Sequence, residues 1–104
     1  MIIKISKDFT DTPGARYRIE SDFSGEEFRE DMLEPKFLES ARNNEKLIVD
    51  LDGGYGYPTS FLEEAFGGLA RKYSSEKVLR TLEFISNDEP SLIEEIKGYI
   101  TSAK

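Results

Sequence analysis

Two hydroxyls lie side by side where a glycine-rich loop runs into a helix. They are Thr59 and Ser60, at the end of the run GGYGYPTS. A helix start offers unpaired backbone N–H groups that favour an anion, so a phosphate added to either residue would sit in a favourable field. Such a phosphate brings about −1.5 to −2 charges and can switch partner affinity. A purely structural role is open as well: Ser60 and Glu63 have the spacing of a capping box, with Thr59 as a loop residue. The loop itself carries Tyr55 and Tyr57, and tyrosines suit interfaces because they join apolar area to a hydroxyl. It reads as an uncharged, mobile surface for docking, with a simple structural turn as the alternative.

Other chemistries fit less well. The loop lacks the Lys-Ser/Thr pair of a P-loop and does not carry the dinucleotide-binding glycine fingerprint into the helix. Asp50 and Asp52 at a strand end resemble a magnesium or aspartyl-phosphate pair, but strand-end turn chemistry accounts for them better. The chain holds no His and no Cys, which excludes a His base, a Ser-His-Asp triad, disulfides and thiolate metal ligands. With 21 acids against 14 bases the net charge is −7, which disfavours nucleic acid. Eight of the acids fall between Glu20 and Glu39, opposed only by Arg29 and Lys36.

The elements that must position these residues follow from periodicity. The 104 residues suit a single domain, 1–104, with no repeat or low-complexity linker. Ile2, Ile3 and Ile5 form a first strand; Asp8–Ala15 is a turn; Arg16 to Ile19 is expected to be a second strand pairing back on the first. Ser24 and Glu27 cap a helix with Phe28, Met32 and Leu33 as its stripe. Pro35 is expected to break or restart it before Phe37, Leu38 and Ala41. Leu47, Ile48 and Val49 are consecutively apolar, the pattern of a strand buried on both faces. Phe61, Leu62, Ala65, Phe66, Leu69, Ala70 and Tyr73 make one helical face. Gly67 and Gly68 interrupt it, each at a cost of about 1 kcal/mol relative to Ala, and allow a close approach, a groove or a kink. Residues 79–85 contain a fourth strand, and Leu92, Ile93, Ile96, Tyr99 and Ile100 form a last helix. No run is long and apolar enough for a membrane span or signal peptide, so a cytoplasmic location is expected.

The unit LIVDLDGGYGYPTSFLEEAFGGLARKY resembles the central strand, loop and helix of STAS domains, the fold of sulfate transporters and anti-sigma-factor antagonists. Val49-Asp50-Leu51 resembles the strand end, and Pro58 to Phe61 fall at the phospho-acceptor motif, with Pro58 in place of its Asp and Phe61 in place of its Gly. SGEEFRE (Ser24–Glu30) and SFLEEAFGGL (Ser60–Leu69) resemble a bacterial STAS-like family of unknown function. The resemblance implies an α/β fold: a STAS-like mixed four-stranded sheet with helices packed on it, in the order β-β-α-β-α-β-α. It implies a non-catalytic regulatory module that needs no cofactor or metal. Its partner would be a protein of the ATP-binding, kinase-like class, docking on Tyr55, Tyr57, Pro58, Thr59, Ser60 and Glu64, with Thr59 and Ser60 as candidate phospho-acceptors. A nucleotide- or small-ligand-binding domain using the glycine loop is the alternative, and a subunit self-associating through Tyr17 and the edge strand is another.

Overall fold

The structure is a computed structural model and describes residues 1–103. Three strands, β1 (Ile2–Lys4), β2 (Leu47–Asp50) and β3 (Leu82–Ile85), form one sheet in the order β1-β2-β3. Both pairings are parallel, with Ile3 beside Val49 and Val49 beside Phe84. A short turn of helix, α1 (Ile5–Asp8), follows β1 directly. The long helix α2 runs through residues 25–42 and crosses from β1 to β2. Helix α3 spans residues 59–73, α4 is Ser75–Thr81, and α5 is Ser91–Thr101. Among the described residues no helix is long and apolar enough to cross a membrane.

The sheet therefore has three parallel strands where four mixed ones were expected. Residues 16–19 form a turn, because their neighbourhood spends its backbone groups elsewhere. The carbonyls of Ala15 and Arg16 accept the Gly25 and Glu26 N–H groups at 2.9 Å each, closing the open end of α2. Arg18 turns outward to Glu30 and Asp31, and Ile19 is 94% exposed. The helix α4 was also not foreseen. Ser74, with φ 105°, caps it by accepting the Lys77 N–H at 3.2 Å.

Strand β2 alternates in burial, where its apolar run suggested cover on both faces. Ile3, Leu47, Val49 and Leu82 face the helices and join Phe28, Leu33, Phe37, Phe61, Phe66 and Ile96 in one core. Phe28 stacks on Phe61 with ring centres 5.8 Å apart, and Phe66 meets Phe84 edge-on at 5.5 Å. The opposite row leaves Ile2 and Glu83 exposed and Ile48 and Ile85 half-buried. The outer edge of β1 is blunted: Asp8 accepts the Lys4 N–H at 2.8 Å, removing a donor that a further strand would need.

Helices α2 and α3 share an uncommon feature. Each widens to a π-helical turn, Arg29–Leu33 in α2 and Glu63–Gly67 in α3. In α2 the cause is Pro35, which has no N–H to return to the preceding turn; the helix continues through it with a widened register, so the expected break is absent. In α3 the widened turn runs onto Gly67 and Gly68. The two helices touch closely: a Cβ on Gly25 would lie 2.6 Å from the Phe61 carbonyl oxygen.

That contact separates two glycine substitutions. Gly25→Ala forces α2 off α3 and is expected to destabilise by about 1–3 kcal/mol. Gly98→Ala, where nothing lies within 4 Å of the new Cβ, is expected to stabilise α5 by about 0.5–1 kcal/mol. Urea midpoints at unchanged m read both directly.

Candidate functional site

The carboxyl ends of the three parallel strands converge, the place where open α/β sheets present their ligand-facing loops. From β1 come Lys4 and Ser6, from β2 Asp50 and Asp52, and from β3 Ser86, Asn87 and Asp88. Lys4 pairs with Asp50 at 3.4 Å, and the Ser6 hydroxyl donates to the Asp52 carbonyl at 2.9 Å. The Asp52 carboxylate accepts the Asn87 N–H (2.7 Å), the Asn87 amide (3.0 Å) and the Asp88 N–H (2.9 Å). Those donors, the Asp88 N–H foremost, hold its carboxyl below the usual range. Asp50 accepts the Asp52 N–H at 2.9 Å. Asp52 thus fastens the ends of β2 and β3 together, while Asp50 ties β2 to Lys4 of β1 and braces its own turn.

The glycine loop is tied at three points. Asp88 accepts the Gly53 N–H at 2.9 Å, the Asp11 carbonyl accepts the Tyr55 N–H at 3.0 Å, and the Tyr57 hydroxyl donates to the Leu51 carbonyl at 2.9 Å. Gly53 and Gly56 have φ of +92° and +120°, a region that side chains disfavour. The loop is a fastened structure where the sequence suggested a mobile one. Burial, then Asp50 and Asp52, push the Tyr57 hydroxyl above its ordinary pKa. Tyr57 is a strut with one face available, whereas Tyr55 is 86% exposed.

Thr59 is the first residue of α3 and Ser60 the second. Pro58 precedes them with extended backbone and no side-chain cap, so the capping box expected of Ser60 and Glu63 does not form. Thr59 is exposed and Ser60 half-buried. Tyr99 reaches in from α5 beside Thr59; burial first, and then Glu95 at 2.7 Å, push its hydroxyl up to about 12.

One turn further on, Glu63 and Glu64 enter a network that the sequence did not reveal. Glu63 binds Arg71 at 2.6 Å and Arg16 at 2.5 Å. The Arg71 hydrogen bond is the main reason that the Glu63 carboxyl stays low. Glu64, foreseen as a docking residue, faces inward: it is buried and pairs with Arg29 at 3.0 Å, so it has no surface to offer a partner. Glu34 binds Lys72 and the Tyr73 hydroxyl, both at 2.6 Å. Burial opposes the ionised form of Glu34, but Lys72, Tyr73 and Arg29 overcome it and lower its pKa. Gly68 makes the room for this: a Cβ there would lie 2.8 Å from Arg29 Nε. The close approach to the sheet expected of the glycine pair is not seen: Gly68 makes room for Arg29 of α2, and Gly67 ends the widened turn of α3.

The architecture is that of a STAS-like α/β domain, a parallel sheet whose central strand feeds a loop and a long helix. The chain belongs to the family described as a STAS-like domain of unknown function, whose model matches residues 24–92, from the cap of α2 to the first turn of α5. No curated protein and no solved structure matches the chain.

Two outcomes follow from the network. Arg29→Met strands the buried Glu64 carboxylate with only the longer contacts to Arg16 and Arg71, at 3.6 and 3.8 Å. It is expected to cost about 2–4 kcal/mol in urea unfolding. Arg18→Ala, which removes only exposed pairs, should barely move the midpoint. Glu63 and Glu34 both have depressed folded-state pKa values. The stability they contribute is complete above the unfolded value of about 4.3 and is lost as pH falls through the lower folded values. Unfolding measured from pH 6 to 2.5 should show an acid limb that is flatter in Glu63→Gln.

Proposed function

We propose that the protein is a non-catalytic regulatory module that docks a protein partner at the carboxyl end of its sheet, with Thr59 or Ser60 as the switch. One observation carries this reading. Exposed Thr59 opens a long helix with no side-chain cap, and the acids one turn away are already neutralised by Arg16, Arg29 and Arg71. Glu63 and Glu64 would otherwise repel a phosphate; held by guanidinium groups, they leave the helix N-terminal field free to favour one. Tyr55 and the near face of Tyr57, with Pro58, supply apolar contact beside the switch.

The resemblance to anti-sigma-factor antagonists is what suggests a partner of the ATP-binding, kinase-like class, and the location proposed is the cytoplasm. A hydrolase is disfavoured at this site because Asp50 and Asp52 are consumed by Lys4 and by backbone donors.

Incubation with candidate ATP-binding, kinase-like proteins of the same organism, with ATP, tests the reading by intact mass. A single added phosphate that disappears in Thr59→Ala or Ser60→Ala, together with a changed affinity for the partner, is the expected result. No phosphate and no complex would remove the proposal. Nucleotide alone should not shift the melting temperature; a ligand at 100 times its dissociation constant would stabilise by about 2.7 kcal/mol and favour the ligand-binding reading.

A further inference from the structure

A cavity of ≈ 300 Å³ opens beside the glycine loop, at the same end of the sheet as Thr59. Its buried lining includes Leu51 and Leu92, and its walls include Tyr55 and Tyr57. The charged groups lining it are Asp88 and Glu89, brought by the turn between β3 and α5, and among the described residues no cationic side chain lines it. Glu89 uses its backbone carbonyl to accept the Ser86 hydroxyl at 2.6 Å, which fixes the turn while leaving the carboxylate outward. Asp88 spends one oxygen on the Gly53 N–H, so the loop and the acid are held in one piece. The loop is uncharged in sequence, but the fold supplies it with a negative rim from far along the chain, Asp88 being 35 residues from Gly53.

We propose that this cavity is a subsite for a basic side chain, arginine or lysine, projected by the docking partner. The inference rests on the docking reading and names the chemistry of its partner. Three features converge on that chemistry. An apolar floor accepts the methylene stem of such a residue. Tyrosine faces attract a cation through their ring quadrupoles. Two carboxylates at the rim meet the charged head, and for arginine the contact can be bidentate. The net charge of −7 would draw a basic partner surface in and repel an acidic one. An arginine or lysine held here would also lie at the same end of the sheet as a phosphate on Thr59, linking recognition to the switch.

The test uses the full-length ¹⁵N-labelled protein and two tripeptides, acetyl-Gly-Arg-Gly-amide and its citrulline counterpart, which has the same shape without the charge. The expected result is saturable shifts confined to the amides of residues 53–57 and 86–92, at least threefold tighter for the arginine peptide, and weakened by salt. Glu89→Gln and Asp88→Asn should each raise the dissociation constant severalfold while the spectrum keeps its dispersion. Equal binding of both peptides, no saturable shift, or unchanged binding in both variants would overturn the proposal. Spermidine binding far more tightly than the arginine peptide would also overturn it, in favour of a small polyamine. The two readings fail separately. A complex with the ATP-binding partner that is indifferent to both substitutions removes the cation subsite and leaves docking intact. Arginine-peptide binding as described, without complex or phosphate, removes the docking switch and leaves the subsite.

Discussion

The structure hinges on the seam between α2 and α3, where a half-buried arginine crosses from one helix to the other. Arg29 meets Glu64 at 3.0 Å and lies 3.5 Å from Glu34, in a space that exists only because residue 68 has no side chain. Gly25 brings the two backbones together at the other end of the same seam. A buried ion pair contributes little net stability compared with apolar packing, but breaking it is costly. What it secures here is position. Arg29 and Glu64 each lie in the π-helical turn of their helix, so the two helices are tied where both widen.

From that tie the rest follows. The start of α3 is set beside the strand ends, and Arg16, carried on the turn before α2, reaches across to Glu63. The loop from Gly53 to Pro58 is then clasped between Asp11 and Asp88. The same carboxylates that would burden a phosphorylated helix start are spent on the seam. The network that holds the helices together is therefore also what leaves Thr59 electrostatically available.

Much of this was legible in the residues. Consecutive apolar residues marked β2, threes and fours marked α3, and Ser24 was correctly placed as a cap: it accepts the Glu27 N–H at 3.0 Å. The errors have physical reasons. Tyr17 and Ile19 alternate like a strand, but the carbonyls just before them close the end of α2, a tertiary use that no local pattern reports. Five of the seven residues of α4, and its cap Ser74, are polar, so Val78 and Leu79 alone gave too little period to reveal a helix. The Ser60–Glu63 spacing suited a capping box, yet Glu63 had two arginines to satisfy and α3 began two residues earlier, with Pro58 at the cap position. The acidic rim of the loop was hidden because Asp88 and Glu89 reach it only through the parallel pairing of β3 with β2.

The central claim is that partners meet the carboxyl end of the sheet and the start of α3, not the bare face carrying Ile2, Ile48 and Ile85. Hydrogen exchange of the protein, alone and with any ATP-binding, kinase-like protein found to form a complex with it, tests it most directly. The account expects added protection at residues 53–62 and 86–92, with residues 2–4 and 82–85 unchanged. Protection centred on residues 2–4, 47–50 and 82–85, with the loop unaffected, would contradict it.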